Sequence, residues 1–530
     1  MRHLPIVLLT LLSVFCVQAQ NMIHIEHANT LEFDEAVNAE FQMLIGDVQF
    51  RHDSVWMFCD TAHFFKASNT LYAYGHVHIK QGDTLTLDGK TLYYDGNRKI
   101  AQIRTNVVMT NKDVQLFTDH LDYDRVANIG YFFFGGKIVD PTNVLESSYG
   151  RYSPDTKMAF FKDEVVLTHP DFVMNTDTLN YNTDTREASI VSPTQIVGDS
   201  ATIFAFRGWY NTLSGESELY DRSYVLSSPY YMIGDTVSYD QSRGFGHARS
   251  NVQLVDSSKA MILSSNYAYY HEEKEMAFLT NKALLREYSQ KDDTLYLHAD
   301  TLMTRKDSIY DTFQAYHHVR VYRSNLQAVC DSLFYSNRDS ILDINGQPII
   351  WSDNQQVRGN HMKMFMKDNT ADYLHVERNA SVISQETADT SYYNQSSGDD
   401  LKAYFLNNKV HRVTIEGNAR SIYIPHNEDD EMIGMVSLEQ GDIEMFMDSA
   451  GQMERIKVAP QPKGKFFPLS LVKDSDKRIP LFSWPIELRP TGPEDVFRRN
   501  EIKDNRFAEE TRKKGQSAKR STRNNRRTIK

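Results

Sequence analysis

The sequence predicts an all-β protein built as an elongated repeat array, and three observations support this fold class. Aromatic residues recur at intervals of 29 positions from Tyr94 to Tyr239. Segments such as LTLDGKTLYYD and NTDTLNYNTDT alternate apolar with polar residues and are bounded by residues that favour turns. No window carries a sustained apolar stripe with the helical period of about 3.6 residues. A fixed period of about 20–50 residues is typical of stacked repeats that bury their apolar faces against one another.

Two apolar columns define the repeat. The first column holds about 14 anchor positions, which are Phe33, Phe64, Tyr94, Tyr123, Tyr152, Tyr181, Tyr210, Tyr239, Tyr269, Thr304, Tyr335, Met364, Ala403 and Met445. The second column lies two residues before each anchor and holds Leu31, Ala62, Leu92, Leu121, Gly150, Leu179, Gly208, Val237, Tyr267, Leu302, Leu333, Met362, Leu401 and Ile443. Residues two apart share one face of a strand, so we predict that both columns face the inside of the array.

A third column, five residues before each anchor, is occupied by a small residue in 13 of 14 cases. Small residues predict a sharp corner or a close approach of two backbones. The next position is often Asp or Asn, which hold turns through side-chain hydrogen bonds. A row of calcium ligands or catalytic acids is a weaker interpretation, because Lys90 and Phe206 interrupt the column and no calcium-loop spacing is present. Cys59 and Cys330 occupy the small column nine units apart, and we predict free thiols at both.

Each repeat unit carries a second apolar segment about 13–16 residues after its anchor, as at Val77, Val107, Val165 and Val252. The two segments predict two strand-like arms per unit, joined by polar turns. We expect successive units to stack at about 4.8 Å, the spacing of neighbouring strands. The period alone leaves the direction of the strands open.

The two ends of the chain differ from the array. A short apolar run followed by Val17–Gln18–Ala19 has the pattern of a secretory signal peptide. Lipidation at Cys16 is a weaker interpretation, because the bulky Phe15 precedes it. The predicted organisation is a signal peptide at 1–19, tandem repeats at 20–458, a Pro-rich cap or tail at 459–496 and a basic disordered tail at 497–530. We expect a periplasmic location, with association with the outer membrane as a further expectation.

Composition and motifs argue against several classes of function. The net charge of −12 argues against a nucleic-acid partner. No hydrolase, metalloprotease, phosphate-loop or dinucleotide-binding motif is present, so we predict that the protein is not an enzyme and uses no cofactor. His76, His78 and the His317–His318 pair lack a third ligand at a recognisable spacing, so we predict no metal site.

Several segments resemble the OstA/LptA family of lipopolysaccharide-transport proteins. The resemblance rests on tandem units of the form D-T-L-x-Y, a short loop, and then G-x-V or x-N-V, as in CDTAHFFKASNTLYAYGHVHI and LDGKTLYYD. It covers roughly Ile25 to Val458, and the layout including RIPLFSWPIELRP is similar to that of long OstA-like proteins of Bacteroidetes-type bacteria. The resemblance implies an open β jelly-roll, also called a β-taco, with an apolar groove for the acyl chains of lipopolysaccharide.

The resemblance also implies a set of groove residues and partners. The residues expected to line the groove are Leu31, Phe33, Phe64, Leu92, Tyr94, Leu121, Tyr123, Tyr152, Leu179, Tyr181, Val237, Tyr239, Leu333 and Tyr335. The expected partners are lipopolysaccharide or a similar glycolipid, other lipopolysaccharide-transport proteins that dock on the N-terminal edge strand, and a second copy joined head to tail. Two alternatives stay open: a parallel β-helix enzyme that degrades polysaccharide, and a module that binds envelope glycans. The residues alone do not distinguish a groove from a closed core.

Overall fold

The computed structural model of the protein describes residues 22–33, 40–199, 201–227, 230–240, 242–271, 273–288, 293–306, 309–368, 370–386, 391–407, 409–429, 431–448 and 453–499. The predicted signal peptide, residues 500–530 of the predicted basic tail and the expected cleavage site lie outside these residues. The chain divides into an N-terminal half, residues 1–248, and a C-terminal half, residues 249–530. No helix within the described ranges is long and apolar enough to cross a membrane.

The N-terminal half consists of β-strands. They are β1 His24–His27, β2 Thr30–Glu32, β3 Gln42–His52, β4 Val55–Phe65, β5 Thr70–Gln81, β6 Leu85–Asp95, β7 Ile100–Asn111, β8 Val114–Asp124, β9 Ile129–Val139, β10 Val144–Ser153, β11 Met158–His169, β12 Phe172–Asn182, β13 Glu187–Ile190, β14 Thr194–Gly198, β15 Thr202–Ala205, β16 Arg207–Asn211, β17 Glu216–Tyr220, β18 Tyr224–Ser227, β19 Tyr230–Ile233 and β20 Thr236–Asp240. Strand β21, Phe245–Asp256, includes the division point.

The C-terminal half is also built from strands. They are β22 Met261–His271, β23 Met276–Thr280, β24 Leu284–Glu287, β25 Leu295–His298, β26 Thr301–Lys306, β27 Asp311–Arg323, β28 Leu326–Ser336, β29 Ile341–Asn345, β30 Ile349–Ser352, β31 Gln355–Arg358, β32 His361–Lys367, β33 Thr370–Gln385, β34 Tyr393–Leu406, β35 Lys409–Glu416, β36 Arg420–Tyr423, β37 Gly434–Glu439, β38 Asp442–Met447, β39 Met453–Ala459 and β40 Lys463–Pro468. Four short 3₁₀ turns follow at Leu469–Leu471, Asp474–Asp476, Ile486–Leu488 and Glu494–Phe497.

Each 29-residue repeat contributes two neighbouring antiparallel strands. Strand β6, for example, pairs with β5 on one side and β7 on the other. The expected two segments per unit are therefore present, and the strand direction that the period left open is antiparallel. The expected advance of about 4.8 Å per unit is wrong, because two strands per unit correspond to about 9.6 Å.

Each long strand bends near its middle. The pairing of β4 with β5 is interrupted between Phe58 and Thr61, and that of β6 with β7 between Asp88 and Thr91. Such interruptions are β-bulges, which bend a strand sharply. They lie beside the column of small residues, so the corner predicted from that column is confirmed. The bend divides each long strand into two segments, and these segments form two layers. We call the layer that carries the anchors the tyrosine arm and the other layer the opposite arm, which is a different division from the two strands of each unit.

Most returning strands, and one strand that carries an anchor, make their corner with two consecutive residues of positive φ. These pairs are Gly46–Asp47, Gly75–His76, Thr105–Asn106, Phe134–Gly135, Asp163–Glu164, Asp221–Arg222, Ser250–Asn251, Asn281–Lys282, His317–His318, Gly346–Gln347, Arg378–Asn379, Gly417–Asn418 and Gln440–Gly441. Most of them are not glycine, so the bend is held by its surroundings at a cost in backbone strain.

Acidic residues of the neighbouring strand hold these corners. Asp119 accepts a 2.9 Å hydrogen bond from the Asn106 backbone N–H, and the Asp60 carboxylate lies 2.8 Å from His76 Nδ1. A Cβ on Gly75 would lie 2.2 Å from Asp60 Oδ2, so a larger residue does not fit there. The predicted role of the Asp/Asn column in holding turns is confirmed, although the bonds cross to the next strand.

Cys59 and Cys330 are both free and buried, as predicted. Burial raises the pKa of the Cys59 thiol to about 12, and the neighbouring Asp60 carboxylate adds to this effect. Burial also raises the pKa of the Cys330 thiol. Both thiols therefore act as small apolar side chains at the corners.

The segment 469–499, here called the C-terminal strap, crosses the outer face of the opposite arm in the C-terminal half. Because its many prolines cannot donate to a strand ladder, side chains of the sheet reach its backbone instead. Gln356 donates to the Ser483 carbonyl at 2.8 Å, and Arg320 donates to the Asp495 carbonyl at 3.1 Å. The sequence predicts a Pro-rich, irregular cap or tail at 459–496. Instead, Lys463–Pro468 form a strand and the strap passes back over strands β34, β31, β28 and β27.

Candidate functional site

The interior between the two arms is the candidate site, and the predicted groove residues lie in or beside it. Phe64, Leu92, Tyr94, Leu121, Tyr123, Tyr152, Leu179, Tyr181, Val237 and Leu333 are buried, whereas Tyr239 and Tyr335 are half-buried. Leu31 and Phe33 are 51% and 53% exposed. Leu31 is paired with the buried core residue Leu44, so it lies on the inner face, and it is exposed because the short edge strand β2 pairs only with β3.

Tyrosines and small residues alternate along the tyrosine arm of the N-terminal half. Tyr94 is paired across the strands with Ala101, and Tyr152 is paired with Gly130 and Ala159. The small neighbours leave room for the large rings, so the tyrosine side chains fit into the interior. Tyr94, Tyr123, Tyr152 and Tyr181 are at most 1% exposed.

The hydroxyl groups of Tyr94, Tyr152 and Tyr181 bond to polar side chains at the tip of the opposite arm. The Tyr94 hydroxyl lies 2.6 Å from His52 Nδ1. The Tyr152 hydroxyl accepts a 3.1 Å bond from Asn111, and the Tyr181 hydroxyl donates a 2.6 Å bond to Asp140. The Tyr123 hydroxyl donates to the Asn128 side chain in the turn after β8, next to the Gln81 side chain. We call the four tyrosines with His52, Gln81, Asn111 and Asp140 the tyrosine latch, because the bonds of Tyr94, Tyr152 and Tyr181 join the tips of the two arms.

Charged groups reinforce the latch at two of its pairs. The Arg186 guanidinium lies 2.6 Å from the fully buried Asp140 carboxylate. Burial alone would raise the pKa of Asp140, but hydrogen bonds from Tyr181 and from the Thr142 and Asn143 backbones, together with Arg186, lower it. Burial raises the pKa of Tyr94 and of Tyr181, so both hydroxyls keep their protons at neutral pH. Arg125 donates to Tyr94 from the turn after β8.

The polar partners of the latch tyrosines are not among the residues predicted from the sequence. His52, Gln81, Asn111 and Asp140 are separated by 29, 30 and 29 positions, so they repeat with the same period as the anchors. Polar residues at strand ends are common turn formers, and this column was therefore hidden among ordinary turn signals.

In the C-terminal half the corresponding row is apolar and less covered. Tyr335 is paired with Leu342, which is paired with Met364, and Met364 with Leu374. Among the described residues, the main apolar cluster of the N-terminal half has 42 buried members and four half-buried neighbours. The main cluster of the C-terminal half has 24 buried members and 18 half-buried neighbours. Its interior is thus more accessible from outside.

A cleft of about 160 Å³ lies at the last strands of the C-terminal half. Its lining residues are Tyr423, Val436, Leu438, Met453, Glu454, Arg455 and Ile456. Tyr423, Val436 and Leu438 belong to the opposite arm, whereas residues 453–456 belong to the tyrosine arm, since β39 pairs with the anchor strand β38. The cleft is therefore an opening between the two arms.

The histidines considered as metal ligands serve other purposes. His76 and His318 lie 2.8 Å from Asp60 and Asp300 at corner positions. Across the described ranges, no group of three or more His, Cys, Asp or Glu side chains is arranged to hold a metal ion.

A comparison with protein families matches residues 20–177 to the family described as OstA-like protein. This part of the chain holds the regular bent strands and most of the tyrosine latch. Residues 20–177 therefore match the OstA-like family. The match ends before Tyr181. The later strands are described as repeats of the same kind because they share the spacing of the anchors and the geometry of the corners.

The comparisons with solved structures and with curated proteins do not extend this match. A similar solved structure is that of LptH from Pseudomonas aeruginosa, described as the LptA-homologous periplasmic component of the conserved lipopolysaccharide transport device. The identity is 13%, the aligned part covers 22% of this chain and 82% of that chain, and the TM-score is 0.20. No curated protein matches the chain.

Proposed function

We propose that the protein is a non-enzymatic carrier in the periplasm that holds the acyl chains of lipopolysaccharide, or of a similar glycolipid, between its two arms and passes the lipid toward the outer membrane. The observation that supports this most is the match of residues 20–177 to OstA-like proteins, together with the apolar interior between the two arms within each half. Burial of each CH₂ group of a lipid contributes about 0.8 kcal/mol, so several acyl chains supply enough free energy for binding without any covalent step.

Mass spectrometry of the full chain purified from bacterial envelopes tests the proposal. We expect a glycolipid with several acyl chains to co-purify, and the delipidated protein to bind added lipopolysaccharide but not the same molecule after removal of its acyl chains. Equal binding of the de-acylated sugar would contradict the proposal and favour an envelope-glycan module.

We further propose that the N-terminal edge is the docking site for another lipopolysaccharide-transport protein or for a second copy. Strands β1 and β2 pair with β3, and an edge strand offers free backbone groups for strand addition. Proline at Glu32 removes one backbone N–H, so it should weaken crosslinking to such a partner while the circular dichroism stays unchanged. Unchanged crosslinking would place the docking edge elsewhere.

A further inference from the structure

The tyrosine latch makes the N-terminal half a closed sandwich. An acyl chain that enters between the tips of the arms must separate them, and separation would break the bonds of Tyr94, Tyr152 and Tyr181 to the opposite arm. It would also expose the Asp140 carboxylate, whose side chain is wholly buried beside Arg186. The rings of the latch tyrosines occupy this interior. They pack against small residues and are at most 1% exposed.

The C-terminal half has no comparable row of tyrosines. After Tyr335, the anchors are Met364, Ala403 and Met445, none of which can form a hydrogen bond of the latch type through a hydroxyl. Their cross-strand neighbours are Leu342, Leu374, Val413 and Ile456. Half-buried Leu342, Met364 and Ile456 therefore present a flexible apolar strip where the N-terminal half presents rigid, bonded rings.

The cleft beside Leu438 and Ile456 shows where this interior opens. Its volume of about 160 Å³ is similar to that of an apolar cavity of about 150 Å³ that binds benzene. Val436, Leu438, Met453 and Ile456 supply apolar walls that fit alkyl groups. Arg455 and Glu454 line the same cleft, and the cation suits the anionic groups that many glycolipids carry next to their acyl chains.

We infer that the C-terminal half is the compartment that takes the acyl chains, that they enter between β37 and β39, and that the tyrosine latch keeps the N-terminal half closed to lipid. This inference rests on the proposed function and assigns it to one part of the chain. Of the predicted groove residues, Leu333 and Tyr335 then lie in the lipid compartment, whereas Tyr94, Tyr123, Tyr152 and Tyr181 act as the closure.

Site-specific photo-crosslinking in the full chain tests this assignment. A diazirine amino acid of leucine size replaces Leu342 or Met364 in the C-terminal half, and Leu92 or Leu121 in the N-terminal half. Outward-facing Phe334 and Tyr72 are the matched surface positions, since they are 39% and 42% exposed. Each variant is first compared with the parent by circular dichroism and thermal unfolding, and only variants that fold are irradiated with purified lipopolysaccharide.

We expect at least tenfold more crosslinked lipid at Leu342 and Met364 than at Leu92, Leu121 and the two surface positions. Labelling at Leu92 or Leu121 that equals or exceeds labelling at Leu342 would overturn the inference and leave the proposed function standing. No labelling at any position, together with no lipid in the mass spectrum of the purified protein, would overturn the proposed function itself.

Discussion

The hydroxyl group of a single tyrosine separates two roles for the same repeat position. At Tyr181 it donates to a buried carboxylate and accepts from Asn143 at 2.8 Å, so the anchor ties two layers together. At Met364 the anchor lacks a hydroxyl and lies half-buried beside Leu374. The role of an anchor therefore depends less on whether its side chain is aromatic or aliphatic than on whether it carries a hydroxyl group that can form a hydrogen bond.

Substitution Tyr181→Phe tests this capacity. It removes the bond to Asp140 while keeping the ring, so we expect the free energy of unfolding to fall by about 2 kcal/mol, the value typical of a hydrogen bond to a charged group. Tyr72→Phe, at an exposed outward position, should change it by less than about 0.5 kcal/mol. Urea unfolding followed by circular dichroism measures both, and equal effects would remove the special role of the buried hydroxyl.

Glu377 predicts a pH dependence on the outer face of the C-terminal half. Hydrogen bonds from His361 and Lys363 outweigh its burial and lower its pKa from 4.5 to about 2. A lowered folded-state pKa stabilises the fold above the unfolded pKa, so this contribution is fully present above pH about 4.5 and is lost as the pH falls toward 2. The groups that face this carboxylate are His361, Lys363 and His375, with Asp343 and Asp400 beyond the two histidines.

Glu377→Gln should therefore lower stability at pH 6 by about 1–2 kcal/mol after allowance for solvent screening, and should flatten the loss between pH 4.5 and 2. The exposed Glu428→Gln is the control and should leave the pH profile unchanged. Urea midpoints at pH 6, 4 and 3 give the comparison, and parallel profiles for Glu377→Gln and the parent would contradict it.

The bent strand is the element that determines the architecture, and its corner is the least tolerant part. Gly75 has φ +72° and has no space for a Cβ beside Asp60, whereas Gly82 has φ +64° with nothing within 4 Å of the added atom. Gly82→Ala should therefore cost only the backbone strain, about 1 kcal/mol. Gly75→Ala should cost about 3 kcal/mol, because the clash adds to the strain. Thermal unfolding of both variants separates the two contributions, and equal costs would show that Asp60 moves freely.

The C-terminal strap is the second element with a testable role. Arg320 is fully buried, and its charge is met by the Asp495 carboxylate at 3.3 Å. Asp495→Ala removes this carboxylate from beside the buried cation, so we expect a loss of about 3 kcal/mol and faster proteolysis of the strap. Asp474→Ala, whose side chain is 96% exposed, is the control. Proteolysis of the strap at the parental rate would show that the other strap contacts suffice.

At the scale of the whole molecule, local periodicity predicted much of the structure. The apolar columns, the small corner residues and the Asp/Asn column recur every 29 to 42 residues, and each reflects a contact between neighbouring strands. The latch escaped prediction, because Tyr94 and His52 are 42 residues apart and meet only after the arms fold over. The strap escaped for the same reason, since Arg320 and Asp495 are 175 residues apart. The small column predicted the bends, but not the positive φ at Thr105 and Asn106, because the surrounding fold imposes that conformation.

The combined removal of all four latch hydroxyls tests whether the tyrosine latch controls the access of lipid to the N-terminal half. With phenylalanine at Tyr94, Tyr123, Tyr152 and Tyr181, the rings still fill the interior, but the tips of the arms lose their bonds and separate more often. We expect crosslinking of lipopolysaccharide at Leu92 to rise at least tenfold toward the level at Leu342. The control carries phenylalanine at the exposed Tyr72, Tyr74, Tyr231 and Tyr288 and should leave Leu92 unlabelled. If the latch variant unfolds more easily and Leu92 still captures no lipid, the tyrosines stabilise the sandwich without controlling access to it.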